Sequence, residues 1–569
     1  MRRTLLSLPL IPLLSTALFA ADPTPGQQGS PAAESGSFPV AIKIDAAKTN
    51  GPLHPIWRFF GADEPNYATM KDGRKLIGEL GELTCHAGFF RTHNLLCTGD
   101  GTPALKWGST NAYTEDAQGN PVYDWKILDG IFDTYLQNGL RPYAQIGFMP
   151  EALSIHPEPY QHKWKPGVKY EEIETGWAYP PKDYAKWGEL VYQWTKHCVE
   201  KYGRAEVEKW YWEVWNEPNG AYWKGSHDDF FKLHDYAIEG VRRALPTARV
   251  GGADTAGPGG KFTRDFLDHC LRGSNYATGK FGTPIDFISF HAKGAPKFVE
   301  GHVRMGIANQ LRAIDDGFGI VASYPELKDK PIVIGESDPD GCAACQDPQL
   351  GYRNGTMYSS YTAACFARKF ELADRRGVNL DGALTWAFEF ENQPFFAGFR
   401  VLATNGIDLP VLNVFRMFGK MGGRRLVVES SGAVPLDALL KDGVRAAPDV
   451  SALAALGQKQ LNLLAWHYHD DDVPGPDAAI ELTLSALPFN GTATLNHYRI
   501  DRDHSNSFEA WKRMGSPAQP TPDQYAQLEK AGQLAELAPP ENIHVENGNA
   551  VVRFLLPRQG VSLLVLKAN

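Results

Sequence analysis

Cysteine is scarce in this chain, with 7 in 569 residues, which excludes a module held together mainly by disulfides. One Cys-x-x-Cys pair, Cys342 and Cys345, has no second pair with which to complete a structural zinc site. No long basic run occurs, and 57 Lys and Arg stand against 66 Asp and Glu, a net charge of -9. That excludes nucleic acid as the main partner. No Gly-x-Gly-x-x-Gly follows an apolar run and no P-loop is present, so nothing announces a nucleotide cofactor. Beyond residues 5–19, no apolar stretch approaches a membrane span, and that one is short for the purpose.

The N-terminus has the form of a secretory signal. Arg2 and Arg3 precede the apolar residues 5–19, and the small residues Ala20 and Ala21 follow. The expectation is an exported protein, periplasmic or extracellular, cleaved near Ala20 or Ala21, with no membrane span in the mature chain. Residues 22–38 are rich in Pro, Gly, Ala and Ser and read as a disordered linker. In an exported protein, Cys342 and Cys345 are placed to close a local disulfide or to remain two thiols.

From residue 51 to 411, short apolar runs alternate with amphipathic helices. The runs are 57–62, 89–92, 141–147, 210–215, 248–252, 286–290, 331–335 and 382–388. Between them, Tyr184, Trp187, Val191 and Trp194 recur at helical spacing, as do Phe230, Leu233, Ala237 and Val241. Eight βα units predict an α/β fold, a (β/α)8 TIM barrel. Residues 412–569 change to strands separated by turns, a pattern that predicts a β-sandwich accessory domain. A strand within 39–50 is placed to join it. His467, His469 and residues 470–472 read there as a strand end and turn, not a metal site.

Polar residues gather where the eight runs end: Asp63 and Glu64, His93 and Asn94, Asn216 and Glu217, His291, Glu336, and Trp386. In a barrel these ends converge on one face. Two carboxylates there, Glu217 after the fourth run and Glu336 after the seventh, meet the requirement for glycoside hydrolysis. Glu213 lies four residues before Glu217, deeper on the same face, and needs a buried partner, with Arg91 preferred to Arg58. The 14 Trp and 22 Tyr serve core packing and can also offer stacking surfaces to sugar rings.

The pieces Phe90-Arg91-Thr92-His93, Trp212-Glu213-Val214-Trp215-Asn216-Glu217-Pro218-Asn219, Asp286-Phe287-Ile288-Ser289-Phe290-His291 and His497-Tyr498-Arg499-Ile500-Asp501 with His504-Ser505-Asn506-Ser507 together resemble glycoside hydrolase family 39. The last piece resembles its β-xylosidase branch. The resemblance implies a retaining exo-glycosidase with Glu217 as acid/base and Glu336 as nucleophile, acting on xylo-oligosaccharides without metal or cofactor. It further implies Asn216 at the sugar 2-hydroxyl, His93 and His291 around the glycone, Trp386 beneath the ring and Glu391 at its hydroxyls. Where many relatives carry a tyrosine two residues after the strand-six histidine, this chain has Lys293, a candidate substrate contact. The alternatives are an α-L-arabinosidase or α-L-iduronidase-like activity on the same scaffold, or a carbohydrate-binding protein without turnover, against which both glutamates argue.

Overall fold

The computed structural model describes residues 36–168, 173–386 and 388–569; the expected signal peptide at 1–21 and residues 22–35 of the linker lie outside them. Eight parallel strands form a ring: β1 (Phe59–Ala62), β2 (Gly88–Thr92), β3 (Leu140–Ile146), β4 (Tyr211–Val214), β5 (Arg249–Thr255), β6 (Phe287–His291), β7 (Pro331–Glu336) and β8 (Asn379–Ala383, continued by Thr385–Trp386). Each pairs in parallel with the next. Thr385 and Trp386 pair with Phe60 and Gly61 of β1 and close the barrel. The helices between them include α1 (Lys71–Leu83), α2 (Lys126–Gln137), α3 (Tyr184–Tyr202), α4 (His227–Ala244), α5 (Gly260–Arg272), α6 (Ile307–Ala322), α7 (Thr356–Arg376) and α8 (Pro410–Gly419). Asp183 caps α3 and a Ser226–Asp229 capping box opens α4, so the strand-to-helix turns are set locally. Among the described residues no helix is long and apolar enough to cross a membrane.

The period-2 alternation of the strands stacks the barrel interior in layers. At the bottom, Phe59, Phe89, Tyr143, Tyr211 and Phe287 form an aromatic plug, with neighbouring ring centroids about 5–6 Å apart. Two residues further along their strands stand Arg91, Glu213 and Ser289, a buried charged layer. Two further, His93 and His291 reach the top. Trp210 and Trp212 point the other way, against Phe132 of α2 and Trp194 of α3. Alternating bulk in the sequence therefore encodes which residues fill the barrel and which pack its helices.

The accessory part is one ten-stranded mixed sheet. It includes every strand expected there and the N-terminal Ser37–Pro52, which runs parallel to Asp477–Ser485 and antiparallel to Arg424–Ser430. Hydrogen bonding runs through it without a break into two sheets. It curls so that one apolar core joins Val40, Ile42 and Ile44 to Leu463, Ile480, Leu495 and Val552. The opposite side, with Leu464, Trp466 and Leu563, merges into the barrel's core, and a buried Arg368–Asp449 pair at 2.9 Å crosses the seam. The residues 470–472 are part of this contact: Asp471 pairs with Arg304, in a hairpin that follows β6. The 497–507 motif is a latch, since Asp501 organises the turn and Ser507 Oγ donates to the carbonyl of Asp408 at 2.5 Å.

Candidate active site

Strand β4 ends in a kink. Trp215 and Glu217 adopt positive φ, 72° and 48°, a region costing non-glycine residues on the order of 1–3 kcal/mol each. The surroundings hold them there. Trp215 Nε1 donates to Tyr222 O at 2.9 Å, and the Glu217 backbone N–H donates to Asp254 O at 2.9 Å. The kink takes Trp215 into the aromatic wall of Phe148 and Trp223 and presents the Glu217 carboxyl to the opening, with 24% of its side chain exposed.

Glu336 ends β7 almost enclosed. An oxygen of Glu336, one of Glu217 and a ring nitrogen of His291 all lie within 4.8 Å of one another. Lys293 Nζ lies 2.7 Å from Glu336 Oε2, and Arg91 Nη1 lies 3.7 Å from Oε1. Burial favours the protonated acid, but Lys293, His291 and Arg91 outweigh it and hold Glu336 well below the usual carboxylate range.

His291 links the two. Burial opposes its charge, yet Asp254 and Glu336 push its pKa up to about 10. As an imidazolium, its Nδ1–H donates to Glu217 Oε1 at 2.8 Å and its Nε2–H donates to Asp254 Oδ2 at 3.0 Å. Glu217 Oε1 is thus an acceptor, which leaves Oε2 to carry an acid proton. Glu217, His291 and Glu336 are the one grouping of potential metal ligands among the described residues. Each already has a polar neighbour: His291 bridges Glu217 and Asp254, and Lys293 stands at Glu336 Oε2.

Beneath them, Arg91 is fully buried. Its Nε donates to Glu213 Oε1 at 2.6 Å, and its Nη2 donates to Asp254 and, at 3.1 Å, to Asn216 Oδ1. Tyr143 and Ser289 donate to the other oxygen of Glu213. Burial and the charge of Asp254 nevertheless push Glu213 up to about 7. Glu213 is therefore a support for Arg91, as its depth implied, and Arg58 instead meets Asp381.

Asn216 Oδ1 also lies 2.8 Å from His93 Nε2, so its Oδ1 is engaged and its amide N–H groups are left for a ligand. His93 Nδ1 faces Asp63 Oδ1 at 3.3 Å. Its ring stands against Trp386, centroids 4.3 Å apart, and Arg91 lies over the same indole. Gly61 admits that indole: a Cβ there would stand 2.4 Å from it. Six of the residues expected at the site (Glu217, Glu336, Asn216, His93, His291 and Lys293) are joined in one network, with Trp386 packed on it. Glu391 requires a correction. Its Oε2 accepts the backbone N–H groups of Asp72 and Gly73 and caps α1, so that oxygen serves the helix and lies outside the network around Glu336.

Asp254 is the member that sequence reading missed. It is next to last on β5, with φ 49°, and its one visible signal is the Gly251-Gly252 pair, which marks close backbone approach. The acidic residues after β7 also join the site. Asp338 Oδ2 accepts from Lys293 Nζ at 2.7 Å and pairs with Arg400 Nη1 at 2.8 Å, while Oδ1 accepts the Trp386 N–H at 3.0 Å. Asp340 pairs with Arg353. Cys342 and Cys345 form a disulfide, and Arg353 donates to the carbonyls of Cys342 and Cys345, so the loop is fastened from within.

Residues 40–541 match the glycosyl hydrolases family 39 pattern. The chain is 26% identical over 521 residues to a β-xylosidase of Caldicellulosiruptor saccharolyticus, covering 87% of this chain and 92% of that one. It is 24% identical over 531 residues to the α-L-iduronidase of Mus musculus, covering 86% and 75%. Its fold is similar to that of a monomeric β-xylosidase from Caulobacter crescentus CB15, with TM-score 0.72, 20% identity and coverage of 93% and 99%.

Proposed function

This chain belongs to family 39 of the glycosyl hydrolases, and from that premise we propose that it is an exported, retaining β-D-xylosidase acting on xylo-oligosaccharides. The observation that carries the mechanism is the pair Glu217 and Glu336, with carboxyl oxygens within 4.8 Å. A separation of about 5–5.5 Å suits a retaining enzyme, whereas inversion needs about 6.5–9.5 Å to admit a water.

Glu336, anionic, attacks C1 from the face opposite the leaving group, and its lone pair forms the new C–O bond. The glycosidic bond breaks, and its electron pair stays on the leaving oxygen, which takes the proton from Glu217 Oε2. Glu217 is then an anion beside the His291 imidazolium. It removes a proton from water as that water attacks C1, and the ester bond to Glu336 breaks. The two inversions restore the original configuration. Asn216, with Oδ1 held by Arg91 and His93, directs its amide toward the sugar 2-hydroxyl, a contact that strengthens in the transition state.

β-Xylosidase relatives and the 497–507 latch support xylose as the glycone. A panel of chromogenic glycosides, with proton NMR of the first product, tests both claims. Xyloside is expected to be cleaved ahead of arabinoside, with β-xylose appearing before its α anomer. A clear preference for another sugar, or α-xylose first, overturns the corresponding claim. Lys293 favours a second reading, a uronoside hydrolase, because it puts a cation beside the nucleophile. Export is supported by Arg2, Arg3, the apolar residues 5–19 and Ala20-Ala21. N-terminal sequencing of the mature protein is expected to begin near Asp22, and retention of Met1 in the exported fraction would refute cleavage.

A further inference from the structure

Lys293 is the cation of the nucleophile cluster that is open to the site, with 16% of its side chain exposed, against 1% for Arg400 and none for Arg353. A substrate carboxylate would have to reach it. Yet Lys293 Nζ already holds two carboxylates at 2.7 Å, Glu336 and Asp338. Behind it, Arg400 is engaged by Asp338 and, at 3.4 Å, by Asp340, while Arg353 holds Asp340 at 2.8 Å. On this side of the nucleophile three cations, Lys293, Arg353 and Arg400, face three anions, Glu336, Asp338 and Asp340, and each is already in an ion pair without a ligand.

We propose that Asp338 is a specificity residue, a built-in carboxylate that satisfies Lys293 in place of one on the substrate and so selects uncharged glycones. This rests on the glycosidase reading above and sharpens it toward neutral sugars. The physical reason is the cost of a like charge in a desolvated site. A glycone carboxylate beside Lys293 meets Asp338 and Glu336 at close range with no unpaired cation to offset it. Asp338 is held in that place by bonds that do not involve substrate: the Trp386 N–H to its side chain, Arg400, and the Gly294 N–H to its carbonyl at 3.1 Å. It therefore also positions Lys293 against Glu336.

The chemistry supplies a controlled comparison. A β-D-xyloside, a β-D-glucoside and a β-D-glucuronide share ring configuration and differ at C5, which bears hydrogen, hydroxymethyl or carboxylate. The glucoside controls for bulk and the glucuronide adds charge. In the wild-type protein, calorimetry is expected to show D-glucuronate binding more weakly than D-glucose by on the order of 10-fold or more. In Asp338→Asn, which keeps the shape and removes the charge, the glucuronide-to-glucoside ratio of kcat/KM is expected to rise on the order of 10-fold. Xyloside cleavage is expected to fall, because Lys293 is then drawn more tightly to Glu336. Glucuronate binding the wild type more tightly than glucose overturns the proposal, even if the variant does not fold. An unchanged ratio in a folded Asp338→Asn overturns it too. Failure of the xylosidase reading would show instead as poor xyloside cleavage by the wild type, and the glucuronide-to-glucoside comparison stays valid in that case.

Discussion

Glu336→Ala is expected to lose activity by on the order of 10⁴-fold or more in kcat, because the nucleophile of a two-step mechanism has no substitute. The fold is expected to survive. Lys293 keeps Asp338, and His291 keeps Asp254 and Glu217, so neither cation is stranded by the substitution. The vacated space lies against Lys293, a setting that attracts a small anion. Azide is therefore expected to restore part of the turnover of an activated aryl glycoside. It attacks C1 from the face that Glu336 used as the C1–O bond breaks, the aryloxide leaves with the bonding pair, and a glycosyl azide of inverted configuration results. Circular dichroism establishes that the variant is folded, and mass spectrometry with NMR identifies the azide product. Activity within about 10-fold of wild type would falsify the assignment of the nucleophile.

Arg91→Met is expected to be the most destabilising single substitution at the site. Arg91 is fully buried and compensates Glu213, Asp254 and Glu336 at once. Methionine fills much of the volume but leaves these carboxylates without their common cation. Breaking a buried ion pair by removing one partner costs about 3–5 kcal/mol, and here several carboxylates share that partner. Glu213, already at about 7, is expected to move higher in the variant, which limits the loss and lets the variant gain on wild type as pH falls toward neutral from above. The sign follows from linkage: a carboxyl whose folded-state pKa is raised binds more protons folded than unfolded, so its contribution improves as pH falls. Chemical denaturation at two pH values measures both effects. A midpoint unchanged from wild type at neutral pH excludes Arg91 as the central compensating charge. Glu213→Gln added to Arg91→Met is expected to recover part of the stability, since it removes one stranded anion. Arg91→Lys is not expected to rescue, because a point charge cannot reach Glu213, Asn216 and Asp254 together.

The sequence by itself determined the barrel, because eight buried strands with helices between them close in few other ways. It also singled out the pair proposed as catalytic. Glu217 and Glu336 end strands, and strand ends in a barrel meet on one face whatever the loops do. The four-residue offset along one strand placed Glu213 below Glu217, with Arg91 as its preferred partner. The N-terminal strand was legible as a strand that could join the accessory module, but its position between Arg424–Ser430 and Asp477–Ser485 was not, since pairing partners hundreds of residues apart leave no local mark.

Only the tertiary structure decided the electrostatics. Asp254 carries no local mark beyond its glycines, and Asp338 is one of three acidic residues in 336–340; their importance arises from His291, Arg91, Lys293 and Arg400, which come from other parts of the chain. Glu391 fails for the converse reason, because a helix start more than 300 residues away claims its carboxylate. Strand periodicity is a local property, fixed by adjacent residues and visible in them. Charge compensation in a dry interior is decided by whatever the fold brings within a few ångströms, so the two proposed acids could be read from the chain, while the state and setting of their charges required the assembled barrel.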